Sequence, residues 1–167
     1  MNVRTVTQQE DGAIEVGLTG AVAGVVATVA MGGVQMATGQ QGGIAMAFPA
    51  TYGVRGPAPA IGWVIHLFHG AVLGGLYATV AAHPSVAARA SSLGRRLILG
   101  VGYGLALTVV AVGLVMPVWL GLVGFPGAPP LFGAVGTMSV LTHVAYGAVL
   151  GLLVPTIRAR IGPLAGA

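Results

Sequence analysis

The chain has 167 residues, of which 56% are hydrophobic and 6% are charged, and its formal net charge is +4. A soluble domain carries about 25% charged residues, so this composition predicts an integral membrane protein. The chain has no Cys and no Lys, which excludes disulfides, thiolate metal sites and Schiff-base cofactors. Its three acidic residues all lie within the first 15 positions, so no carboxylate is available for chemistry further along. We therefore expect that the protein is not an enzyme.

Four apolar segments follow a polar N-terminal stretch. They cover residues 16–38, 60–82, 97–122 and 131–157. About 20 apolar residues suffice for a helix to cross a bilayer, so the sequence predicts an all-α bundle of four transmembrane helices. We expect a single transmembrane domain at 16–157, with cytoplasmic tails at 1–15 and 158–167. The first tail is expected to be disordered or to lie on the surface, and residues 39–59 to form a loop.

The seven arginines predict the orientation of the chain. Six of them fall on the side that holds both termini: Arg4, Arg89, Arg95, Arg96, Arg158 and Arg160. The other side holds only Arg55. By the positive-inside rule both termini are cytoplasmic, in a prokaryotic plasma membrane. The arginines form no basic stripe, so the lipid bilayer is expected as the partner and nucleic acid is not.

The second and fourth spans carry related sequences. Segments 66–79 (HLFHGAVLGGLYAT) and 143–156 (HVAYGAVLGLLVPT), 77 residues apart, are identical at eight of 14 positions. A shift of 80 residues gives a weaker match between the first and third spans. We interpret the chain as two parallel two-helix repeats, repeat A at about 16–82 and repeat B at about 97–157. The alternative is convergence between segments of similar composition.

Each span contains two glycines spaced four residues apart. Small residues at this spacing share one helix face and let helix backbones approach closely in lipid. We predict helix packing at Gly20, Gly24, Gly70, Gly74, Gly100, Gly104, Gly147 and Gly151. On the second and fourth spans the glycines share their face with His66 and His143. Both histidines are therefore expected to point into the bundle.

Four side chains in the spans are candidates for a functional site, because ionisable groups inside a membrane are usually functional. His66 and His69 of repeat A correspond to His143 and Tyr146 of repeat B. The simplest interpretation is interhelical hydrogen bonding by neutral His and Tyr, at about 0.6–2 kcal/mol for each pair. A second is axial ligation of haem b by His66 and His143. A third is a metal site of the three histidines, with Met as a soft ligand for copper.

The first span opens with the pattern AGxxATxxM at residues 23–31, and HGAVLG-type segments recur later in the chain. In these features the chain resembles small four-span prokaryotic membrane proteins of the YagU-like kind. The resemblance covers most of residues 16–157 and implies an inner-membrane protein without an assigned activity. It carries over no catalytic residue and no cofactor.

Three functions fit these observations. The first is a non-enzymatic accessory or assembly subunit, whose spans pack on each other or on a larger membrane complex. The second is a haem- or metal-binding membrane protein that uses His66 and His143. The third is a small transporter or channel, expected to be a homo-oligomer because four short spans leave little room for a pathway.

Overall fold

The computed structural model describes the backbone of residues 3–161 and the side chains of residues 12–160. The regular elements in this part of the chain are all helices, joined by non-helical connections, and it contains no strand. In chain order the elements are α1 (Val3–Ala37), a π-helical turn π1 (Gly43–Ala47), α2 (Phe48–Thr51), α3 (Pro59–Ala82), α4 (Pro84–Ala87), α5 (Leu93–Leu107), a π-helix π2 (Thr108–Val115), α6 (Met116–Leu122) and α7 (Thr137–Ile161).

Four helices are long and apolar enough to cross a membrane: Gly12–Ala37, Pro59–Ala82, Leu93–Leu122 and Thr137–Arg160. Each has at least 24 residues, which at 1.5 Å per residue gives about 36 Å or more. The predicted all-α four-helix fold is confirmed, and the helices support a multi-pass membrane protein.

The predicted boundaries hold for the second span and shift for the others. α1 begins at Val3, so most of the polar N-terminal segment is helical and continues into the first span. α5 begins four residues before the predicted third span, where the Ser92 hydroxyl accepts from the Arg95 amide at 3.4 Å. Most of the predicted C-terminal tail lies outside the described residues.

The segment predicted as the loop 39–59 contains two short consecutive helices, π1 followed by α2. These two helices pack against α3 through apolar side chains. Ile44 is buried, and its backbone lies directly against Gly62 near the start of α3. The Ala58 amide donates to the Ala45 carbonyl at 2.9 Å, which ties π1 to the residue before α3. We call residues 43–51 the capping segment.

The third span is one continuous helix whose middle is π-helical. Pro117 has no amide hydrogen, so the Gly113 carbonyl four residues earlier loses its usual helical partner. The Phe132 amide donates to this carbonyl at 2.9 Å, and the Phe132 ring lies against Gly113. Residues 123–136 therefore return along the third span. The fourth span begins at Thr137 and not at residue 131.

The spans pack in the order α3, α1, α7, α5. α1 packs on both α3 and α7, and α5 packs on α7. If two parallel repeats were related by a twofold axis, the packing of α1 on α7 would have a counterpart in the packing of α5 on α3. In the described chain α3 and α5 meet mainly through tyrosine side chains. All four spans contribute to the core, which consists of Ala23, Ala27, Met31, Tyr77, Ala78, Leu107, Tyr146, Leu150 and Val154.

All eight predicted packing glycines lie against the backbone of a neighbouring span. Gly24 faces Gly70 between α1 and α3, and Gly100 faces Gly147 between α5 and α7. Gly70 and Gly147 are 77 residues apart, whereas their partners differ by 76. In the first and third spans the contacts thus pair positions 76 residues apart, whereas the sequence match uses a shift of 80. The two correspondences differ by four residues, which is about one helical turn. The duplication itself stays a prediction.

Candidate functional site

The candidate side chains lie in the half of the bundle where α3 and α7 begin, which we call the upper half. α1 and α3 run antiparallel, as do α1 and α7, so the C-terminal part of α1 lies in the same half. The polar residues buried there come from three spans and include Thr28, Gln35, His66 and Thr142. In an apolar bundle such a concentration of buried polar groups marks the candidate site.

His66 is the most enclosed of the histidines, with 5% of its surface exposed. Its ring stacks on Phe48 of the capping segment, with centroids 4.7 Å apart, and Trp63 lies at 6.0 Å. Its Nε2 atom is buried and has no hydrogen-bond partner among the described residues. The capping segment therefore covers one face of the His66 ring, and the Nε2 atom at the ring edge makes no hydrogen bond to the described residues.

His143 is half-buried on α7 and makes a local hydrogen bond. Its Nδ1 atom lies 2.8 Å from the Ser139 carbonyl, which accepts only, so Nδ1 carries the proton and donates. In the neutral ring Nε2 then holds the lone pair. The backbone of α7 thus fixes the tautomer of this imidazole.

His69 lies apart from the other two, on the half-buried rim of the bundle. Its Nε2 atom is hydrogen-bonded to the Tyr52 hydroxyl at 2.8 Å, and the Trp119 ring lies 6.4 Å away. In the part of the chain that the structure describes, no three His, Asp or Glu side chains are placed to hold a metal ion. The predicted three-histidine site is therefore not formed.

Tyr146 connects the two halves of the chain. It is 2% exposed, and its hydroxyl donates to the Gly70 carbonyl of α3 at 2.7 Å. This bond lies about one helical turn from His66 and His143 and holds α3 close to α7. A porphyrin ligated by the two histidines would have to separate these helices where Tyr146 joins them, so the geometry does not favour haem b.

Two further polar side chains, which were not among the predicted site residues, lie inside the bundle. Tyr103 of α5 donates to the Leu73 carbonyl of α3 at 2.7 Å, and its ring lies 5.2 Å from that of Tyr77. Gln35 is 9% exposed, and its buried Oε1 has no partner among the described residues. The sequence signal for both residues is a Tyr or Gln inside an apolar span, because such a side chain needs a hydrogen-bond partner when it is away from water.

No known protein family, curated protein or solved structure matches the chain significantly. A functional proposal therefore depends on the side-chain contacts described above, and the resemblance to YagU-like proteins stays a prediction.

Proposed function

We propose that the protein is a non-enzymatic subunit of a prokaryotic plasma membrane, related to the YagU-like proteins, that supports or assembles a larger membrane complex. The observation that carries this proposal is the hydrogen bond from the Tyr146 hydroxyl to the Gly70 carbonyl. It shows a candidate site residue used to hold the two halves of the chain together.

Two of the other three candidate residues are also hydrogen-bonded within the chain, whereas the buried Nε2 of His66 has no partner among the described residues. His143 donates to the backbone of its own helix, and His69 is paired with Tyr52. Beyond Glu15 the chain has no Asp or Glu, and it has neither Cys nor Lys, so the spans offer no side-chain carboxylate, thiol or amine for catalysis. Polar groups that satisfy one another inside a bundle contribute to its stability and need no substrate.

The outward faces of the spans are apolar and exposed in the single chain. They include Val22, Val26 and Val29 of α1, Val64, Phe68 and Val72 of α3, Ile98, Leu105 and Val109 of the third span, and Leu141 and Leu152 of α7. In a bilayer such faces contact lipid or the spans of other proteins. A small four-span subunit in a larger complex would use them for both.

Native electrophoresis tests this role. The tagged protein, expressed from its own chromosomal locus and extracted in a mild detergent, should migrate in a complex well above the 16.5 kDa of one chain. The same chain expressed alone in a heterologous host and extracted identically is the control, and it should migrate at lower mass. Migration of the native protein as a single chain, or at the same mass as the control, would contradict the proposal.

The proposed orientation has a direct test in this Cys-free chain. Ser92 precedes α5 and Gly127 follows α6, so the two positions lie at opposite ends of the third span. A membrane-impermeant thiol reagent added to intact cells should label Cys at position 127 and not at position 92, because the arginine distribution predicts that both termini are cytoplasmic. After cell lysis both variants should be labelled. Labelling of both positions in intact cells, or of position 92 alone, would refute this orientation.

A further inference from the structure

The contacts between spans place His66, His143 and Met31 at one level of the upper half. On α1, Thr28 lies against Gly70 and Gly32 lies against the Trp63 ring. Met31 therefore lies level with residues 63–70 of α3, the two turns that include His66. Tyr146 is joined to Gly70, so His143, one turn nearer the start of α7, reaches the same level.

Helices α3 and α7 approach each other next to this level. The Tyr146 hydroxyl of α7 donates to the Gly70 carbonyl of α3 at 2.7 Å. His66 precedes Gly70 by four residues and His143 precedes Tyr146 by three, so each lies one turn from this bond on the same side of its helix. His69 turns to Tyr52 at the rim.

Each of the three side chains presents an atom suited to a soft metal ion. The Nε2 of His66 is buried and without a partner, and the neighbouring aromatic rings leave that edge unused. The Nε2 of His143 holds a lone pair because Nδ1 donates to a backbone carbonyl, which is the usual arrangement for a metal-binding histidine. Met31 is 5% exposed and supplies a thioether from α1.

We propose that His66, His143 and Met31 bind a soft monovalent cation, Cu(I), in the upper half of the bundle. Imidazole and thioether ligands favour Cu(I), whereas Mg²⁺ and Ca²⁺ require oxygen ligands. All three ligands are neutral, and the chain has no carboxylate beyond Glu15 to offset the charge of an ion. The desolvation cost of an ion rises with the square of its charge, so a monovalent ion is favoured over Zn²⁺ or Cu²⁺.

The test is Cu(I) binding by the full-length protein in detergent, under anaerobic conditions and in competition with a chromogenic Cu(I) chelator. The wild type should retain one Cu(I) per chain, and X-ray absorption should show nitrogen and sulfur ligands. His66→Gln and His143→Gln should each weaken binding by at least about 10-fold, since loss of a ligand exceeds the effect of losing an outer-shell contact. Met31→Leu should remove the sulfur signal.

Two matched variants control for nonspecific binding. Met36→Leu changes an exposed methionine on the same helix, and His83→Gln changes an exposed histidine after α3. Both should bind Cu(I) like the wild type. A wild type that loses all copper to the chelator, or His66→Gln and His143→Gln variants that bind as the wild type does, would overturn the site. If a histidine variant does not fold, the sulfur signal of Met31→Leu compared with Met36→Leu still decides the proposal.

Discussion

Gly100→Ala should destabilise the protein, whereas Gly102→Ala, two residues along the same helix, should not. A Cβ at position 100 would overlap the Gly147 carbonyl of α7 and lie 3.0 Å from the Gly151 amide nitrogen. Those atoms are backbone and cannot rotate away, so the helices must separate. Overpacking of this kind costs about 1–3 kcal/mol, and loss of the remaining contacts along α5 and α7 adds to it.

Gly102 is the matched control because it is exposed and a Cβ there meets nothing within 4 Å. Replacing Gly by Ala in an exposed helix gains up to about 1 kcal/mol in helix propensity, so Gly102→Ala should be neutral or stabilising. Thermal unfolding of both purified variants in the same detergent gives the comparison. Equal midpoints for Gly100→Ala and Gly102→Ala would show that α5 and α7 do not approach at Gly100.

The four spans could be predicted from the sequence because bilayer thickness sets a minimum length for a membrane-spanning helix, and apolar composition identifies segments of that length. The irregular parts could not. π1 and α2 depend on Gly62 in the next span, which offers a flat surface to Ile44. The late start of α7 depends on Phe132, whose amide replaces the partner lost at Pro117. Such contacts join distant residues, and no local pattern encodes them.

The candidate site could likewise be predicted only in part. Helical spacing predicted that His66 would point into the bundle, and the structure buries it there. His69 lies three positions further along α3, so it is rotated by about 60° about the helix axis from His66. That rotation is enough to turn His69 to Tyr52 at the rim. The pairing of Tyr146 with Gly70 depends on which spans are neighbours, which the sequence does not specify.

Gly62→Ala should release the capping segment from α3 and uncover His66. A Cβ at position 62 would overlap the Ile44 carbonyl oxygen, and the Ile44 side chain would lie at 3.4 Å. The capping segment must therefore move away, and Phe48, which stacks on the His66 ring, moves with it. The expected loss of stability is about 1–3 kcal/mol, the usual range for overpacking.

Gly43→Ala is the control for this change, because Gly43 belongs to the capping segment itself and a Cβ there meets nothing within 4 Å. Hydrogen–deuterium exchange of residues 43–51 is the measurement. Gly62→Ala should accelerate exchange in this segment while the core of α1 and α7 stays protected, because the overlap is local to the start of α3. Gly43→Ala should exchange as the wild type does. Unchanged exchange in Gly62→Ala would mean that the capping segment does not rest on Gly62, and the enclosure of His66 would then need another cause.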